Sequence, residues 1–171
     1  MTNTLINQFE YLQPPQVICI GEALLDRLGP LGGDPLLDKP VEDRLGGAPA
    51  NVACGLAKLG NKAAFCGRLG ADLIGTNFQN LFNSRGVNLQ GLQIDEHRPS
   101  RIVLVHRDQA GERSFQGFVG DLGKGFADQA MSLTDLLTEF PKLASTATWL
   151  LVGSIPLATK SSQEALIWSI E

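Results

Sequence analysis

The chain has 171 residues, 43% of them hydrophobic and 19% charged, with a net charge of −4. One domain fits that length, and the composition excludes a collagen-like chain, a coiled coil and a largely disordered chain. The acidic balance gives no electrostatic reason to expect nucleic acid or an anionic membrane as a partner.

Residues 1–16 read as an N-terminal tail ending at Pro14–Pro15, without the basic-then-apolar order of a secretory signal. Val17 to Gly21 is a continuous apolar run, as in a parallel strand buried on both faces. Asp26 falls just past its C-terminal end. Residues 28–45, rich in Gly, Pro, Asp and Leu, fit either a loop or short exposed strands. From Gly46 the chain reads GGAPANVACGLAKLG, with Pro49 suited to a first helical turn. Val52, Leu56 and Leu59 recur at helical spacing, and Gly60 suits the left-handed residue that ends a helix. A short strand is expected from Ala63 to Gly67, then a helix over 72–84 that stops before Gly86.

Arg101 to Arg107 and Glu112 to Phe118 read as two strands of a hairpin, turned by Asp108 to Gly111. Residues 119–130 read as a loop. Leu133 to Phe140 is expected as a short helix broken near Pro141, Thr148 to Val152 as another buried strand, and 159–171 as the beginning of an amphipathic helix with Ala165, Leu166 and Trp168. The stretch from Trp149 to Ala158 is too short, and too interrupted by Gly153 and Pro156, to span a bilayer. Strands alternating with helices imply a three-layer α/β domain with a mainly parallel sheet. The hairpin is out of rhythm with that alternation and is expected as a separate small β element.

Cys19, Cys54 and Cys66 are odd in number and form no C-x-x-C, so they are expected as free, buried thiols of a reducing cytoplasm. His97 and His106 lack metal-ligand spacing, and no metal site is expected. Neither the dinucleotide fingerprint nor a Walker A loop occurs: Gly123-Lys124 is followed by Gly125, and position 118 is Phe.

The stretch GGAPAN at 46–51 carries more. Paired glycines let a polar ligand approach the backbone, and Asn51 supplies an amide that both donates and accepts, as a sugar hydroxyl does. Asp26 adds a carboxylate able to accept from two hydroxyls. Each has a plainer reading: Gly46–Gly47 as a tight turn, Asn51 as a helix cap, Asp26 as a surface acid.

The longer string GGAPANVACGLAKLGNKAAFCGRLG, residues 46–70, resembles the N-terminal signature of the PfkB (ribokinase-like) carbohydrate kinases, with Gly46, Gly47, Pro49, Asn51, Ala53, Gly60 and Gly70 in place. CIGEALLD at 19–26 resembles the first strand of the fructokinases in that family, and DQAGERSF at 108–115 their second hairpin. With VGSIPL at 152–157 the likeness covers nearly all of 17–171. It implies an α/β fold, a ribokinase-like three-layer Rossmann-like domain with a small β-sheet lid built within 27–45 and 98–118. It implies that Asp26, Gly46, Gly47 and Asn51 contact a sugar, with Arg101, beside Ser100, and Ser154 as further candidates.

The activity so implied is ATP-dependent phosphorylation of a sugar hydroxyl. Fructose is the foremost substrate, with ribose, 2-keto-3-deoxygluconate and nucleosides used by relatives. ATP and Mg²⁺ are implied by the family alone. Its second signature, D-T-x-G-A-G-D, which brings the catalytic Asp and an anion hole at a helix N-terminus, does not occur in these residues. The chain is therefore expected to be the N-terminal, sugar-binding half of such a kinase, inactive alone. The alternatives are a non-catalytic sugar-binding or half-chain interaction module, or a degenerate kinase. The partners implied are a second copy paired through the lid or a complementary C-terminal half.

Overall fold

The computed structural model describes residues 14–171; most of the expected tail, residues 1–13, lies outside them. Eight strands and four α-helices follow one another: β1 (Val17–Ile20), β2 (Leu24–Leu31), β3 (Glu42–Gly46), α1 (Ala48–Lys58), β4 (Ala63–Gly70), α2 (Leu73–Arg85), β5 (Leu92–Asp95), β6 (Ile102–Arg107), β7 (Arg113–Val119), α3 (Leu133–Ala144), β8 (Trp149–Val152) and α4 (Lys160–Ile170). They form two sheets. Sheet A has the order β5-β4-β1-β8 and is parallel throughout. Sheet B has the order β3-β2-β6-β7, with β2 and β6 parallel and both outer pairs antiparallel.

Sheet A is a middle layer because its central strands are apolar on both faces. Successive strand residues point to opposite sides. Ile18, Ile20, Ala64 and Cys66 join Leu136, Phe140, Leu143, Ala165 and Leu166 of α3 and α4 on one side. Cys19, Ala63 and Phe65 join Ala50, Ala53, Phe78 and Phe82 of α1 and α2 on the other. There Phe65 stacks on Phe82 with ring centroids 4.8 Å apart. This is the three-layer arrangement the alternation implied. The hairpin β6–β7 lies in sheet B, apart from it.

Local signals set the helix boundaries. Gly60, at φ 86°, follows the end of α1. Asp72 caps α2 by accepting from the Gly75 N–H at 2.8 Å, and Gly86, at φ 74°, ends it.

Residues 28–45, expected as either a loop or short exposed strands, hold both: the end of β2, a turn-rich loop and β3, with Asp26 inside β2. Other expectations are corrected. The four-residue β5 was not expected. A short 3-10 turn, Ala127–Ala130, interrupts the segment read as loop. Helix α3 runs through Pro141 to Ala144, because Pro141 stands in the last turn and buried Leu143 holds that turn to the core. Strand β8 is exposed rather than buried: Trp149 is 72% exposed, and no described strand covers its outer edge. Cys19 and Cys66 are buried, whereas Cys54 is only half-buried. Burial pushes the Cys19 thiol up to about 11 and the Cys66 thiol up to about 12, so both stay protonated and unreactive at neutral pH.

Candidate functional site

The site lies where the chain crosses twice between the sheets. Residues 21–23 carry it from β1 to β2, and Gly46–Gly47 carry it back from β3 to α1. Register holds the crossings together, since Leu24 pairs with Gly46 and Asp26 with Arg44. The crossings stand at the carboxyl end of sheet A. There the Gly21 N–H donates to the Cys66 carbonyl at 2.9 Å, and the Gly153 N–H to the Ile20 carbonyl at 2.8 Å. Ligands of open α/β sheets settle at this end.

Both glycines are required by their neighbours. A Cβ on Gly46 would fall 2.5 Å from Asp26 Oδ2, so the carboxylate lies over that glycine. Gly47 has φ 96° and ψ 128°, and a Cβ there would fall 2.7 Å from the Glu22 carbonyl oxygen. Gly47 is also the residue that starts α1, without any side-chain cap. Asn51 is therefore not the cap. It stands one turn further on, donates its N–H to the Gly47 carbonyl at 2.9 Å, and keeps its side chain exposed and free of hydrogen bonds to described residues.

The Asp26 side chain has no hydrogen bond or ion pair among the described residues. Burial pushes its carboxyl up, while the positive charges of Arg113 and Arg44 oppose that rise. A half-buried carboxylate with open lone pairs, beside bare glycine backbone, can accept from two hydroxyls, and the exposed Asn51 amide one turn into α1 can both donate and accept.

The remaining candidates are placed differently. The Arg101 guanidinium is committed to Asp128, donating through Nε at 2.7 Å and Nη2 at 2.8 Å. It is sandwiched between the rings of Phe118 and Phe126, at 4.6 and 4.7 Å from their centroids. Ser100 donates its N–H and hydroxyl to Asp72 at 2.7 and 2.9 Å and accepts from the Gly70 N–H. These two residues thus tie the start of β6 to the cap of α2 and to the 3-10 turn. Ser154 is exposed and makes no capping bond; it stands next to Gly153 at the crossing.

Sequence reasoning did not single out Glu22 or Asp128. Glu22 is only 6% exposed at the middle of the crossing. Its signal was available as a lone carboxylate inside the apolar string VICIGEALL. Asp128 had no comparable signal, because nothing local marks it as the partner of a residue in another element.

Residues 14–159 match the description "pfkB family carbohydrate kinase". The chain is 37% identical over 156 residues to a fructokinase of Vibrio alginolyticus, covering 91% of this chain and 46% of that protein. It is 39% identical over 121 residues to a fructokinase of Escherichia coli, covering 71% and 36%. Among solved structures it is similar to a sugar kinase of Pyrococcus horikoshii in complex with ATP, with TM-score 0.77, 30% identity, and coverage of 90% and 48%. It is also similar to a double mutant of the Vibrio cholerae fructokinase in a fructose-, ADP- and potassium-bound form, with TM-score 0.69, 32% identity, and coverage of 92% and 46%. The chain spans less than half the length of these relatives. No helix of the described residues is long and apolar enough to cross a membrane.

Proposed function

The chain belongs to the pfkB family of carbohydrate kinases, and from that premise we propose that it is the sugar-binding part of an ATP-dependent kinase of fructokinase type. The observation that carries this reading is the Asp26 carboxylate lying unpaired over Gly46, next in the chain to Gly47, from which α1 starts. Asp26 accepts from sugar hydroxyls, the glycines admit the ring to the backbone, and Asn51 fixes its orientation. Arg101 supports the wall of the site through Asp128, and Ser154 borders it. Sheet B acts as the lid over the sugar. Fructose is the favoured sugar, in keeping with the fructokinases among the relatives and the fructose held by one structural neighbour.

The whole kinase would transfer the γ-phosphate of ATP to a sugar hydroxyl. Phosphoryl transfer rests on positioning and electrostatic stabilisation of the transferring group. The described residues assemble no group of three His, Cys, Asp or Glu side chains fit to hold a metal ion. ATP and Mg²⁺ are implied by the family alone and are assigned no residue here; because the family's D-T-x-G-A-G-D signature does not occur in these residues, the 171-residue chain alone is predicted to be inactive.

Titration of the chain with fructose by calorimetry tests the reading. Saturable binding is expected, weakened about 10- to 100-fold by Asp26→Asn, as for loss of hydrogen bonds to a charged group. Binding that is indifferent to that substitution removes Asp26 from the site; no binding to the native chain removes the sugar reading.

A second reading, an interaction module that docks a complementary half-chain, is favoured by the edge of β8. Trp149, Leu150 and Val152 are exposed there beside a groove of about 590 Å³ lined by Val17, Val52, Leu56 and Leu151. An uncovered parallel edge with apolar side chains invites a further strand.

A further inference from the structure

Glu22 is the one buried ionisable group at the crossing that the sugar reading leaves without a task. Its carboxyl stands among three chain segments. Its own residue lies between β1 and β2. The N–H of Ala48, first residue of α1, faces it from the segment that begins with Gly46–Gly47, and the N–H of Ile155 faces it from the segment that begins with Gly153–Ser154. A Cβ on Gly153 would collide with Oε2, which is how closely that turn approaches. Glu22 Oε2 has no hydrogen-bond partner among the described residues. A carboxylate thus stands near the start of an eleven-residue helix without capping it, 94% shielded from solvent, with Oε2 unsatisfied among the described residues. Such an arrangement costs stability when ionised, and no core-building role accounts for it.

We infer that Glu22 is a positioning residue, whose ionised carboxylate draws the Gly46–Gly47 segment and the Gly153–Ile155 turn together and so sets the spacing of the sugar site. The inference rests on the sugar-binding reading above. The three segments it joins carry Asp26, Gly47 with Asn51, and Ser154, so a change at Glu22 alters their spacing without touching a sugar.

Burial is the main cause that pushes the Glu22 carboxyl up; the backbone N–H groups of Glu22, Ala48 and Ile155 oppose it, and the Asp128 carboxylate adds to it. Asp128, from the 3-10 turn, is the charged group facing it. The first turn of α1 and the Ile155–Ala158 turn bring no acidic residue, and β1 brings only the neutral Cys19 thiol. The sign follows. In the folded chain Glu22 keeps its proton to a higher pH than in the unfolded chain. Its ionisation therefore costs nothing below the ordinary glutamate range, and the full cost is present above the raised value.

Glu22→Gln tests this, because a purely structural carboxylate and a positioning one give opposite signs. The positioning role requires that Glu22→Gln raise Tm by about 2–4 °C at pH 7.5, with the gain closing as pH falls to the ordinary glutamate range, while fructose binds at least several-fold more weakly. A Tm lowered at every pH, or fructose affinity unchanged, overturns the inference. Amide shifts supply a readout independent of sugar. The Ala48 and Ile155 N–H resonances must titrate together in the native chain, with a midpoint above that of an ordinary glutamate, and stay flat in Glu22→Gln. Titration of neither, or of both in the variant, overturns the coupling even if the chain binds fructose. No fructose binding by the native chain, with the paired titration intact, overturns the sugar reading and leaves the coupling standing.

Discussion

Asp128→Ala is expected to lower the unfolding free energy by about 3–5 kcal/mol, the range for removing one partner of a buried ion pair. The pair it breaks is closed from solvent, with side-chain exposures of 5% for Arg101 and 2% for Asp128. The guanidinium cannot turn outward, because Phe118 and Phe126 hold it on both faces. It would remain as a buried cation without its acceptor. Against a total stability of about 5–15 kcal/mol for a domain, that loss leaves a large fraction unfolded at physiological temperature. Urea denaturation checks it through the midpoint, and a change below about 1 kcal/mol would mean that Arg101 finds water. The double variant Arg101→Met, Asp128→Leu is expected to recover most of the loss, since apolar groups of similar volume leave no charge stranded.

Gly47→Ala is expected to cost about 2–4 kcal/mol, through a backbone conformation that a side chain rarely adopts and a clash that backbone must absorb. The atoms in the way are the Glu22 carbonyl oxygen at 2.7 Å and the Ala23 Cα at 3.1 Å, and neither rotates aside. Gly46→Ala makes the contrast. It lacks a positive φ, and its new methyl would meet the end of the Asp26 side chain, which can swing away. That variant should fold with a penalty of about 1 kcal/mol yet lose much of its fructose affinity. Denaturation and calorimetry on the two variants separate the glycine that holds the fold from the glycine that holds the carboxylate. Equal stability losses at both positions would refute the distinction.

The fold was largely legible because its central pieces carry their own signals. Val17 to Gly21 announces a strand buried on both faces, and Gly60 and Gly86 mark helix ends by a requirement of the backbone alone. Elements defined by their neighbours were not legible. Leu92–Asp95 has too little apolar content to declare itself, and becomes a strand by pairing with Gly67 to Gly70. Trp149 to Val152 has the composition of a core strand but occupies an edge, which depends on sheet order. At the site, the glycine pair and Asp26 were readable from chemistry and from the family resemblance. The destination of Arg101 was not, because its partner comes from a segment that composition marks only as loop.

Sheet order also has a consequence for synthesis. Of the described strands β1 is made first, and it is central, with Val17 paired to Ala63 on one side and to Trp149 on the other. A ribosome adding about 5–20 residues per second leaves the second side of that strand without its partner for on the order of ten seconds. Throughout that interval an apolar edge is open to other nascent chains. The hydrogen bonds from β8 can form only after that interval, so a chaperone bound near Val17 to Ile20 would matter more while β8 is being made than after it.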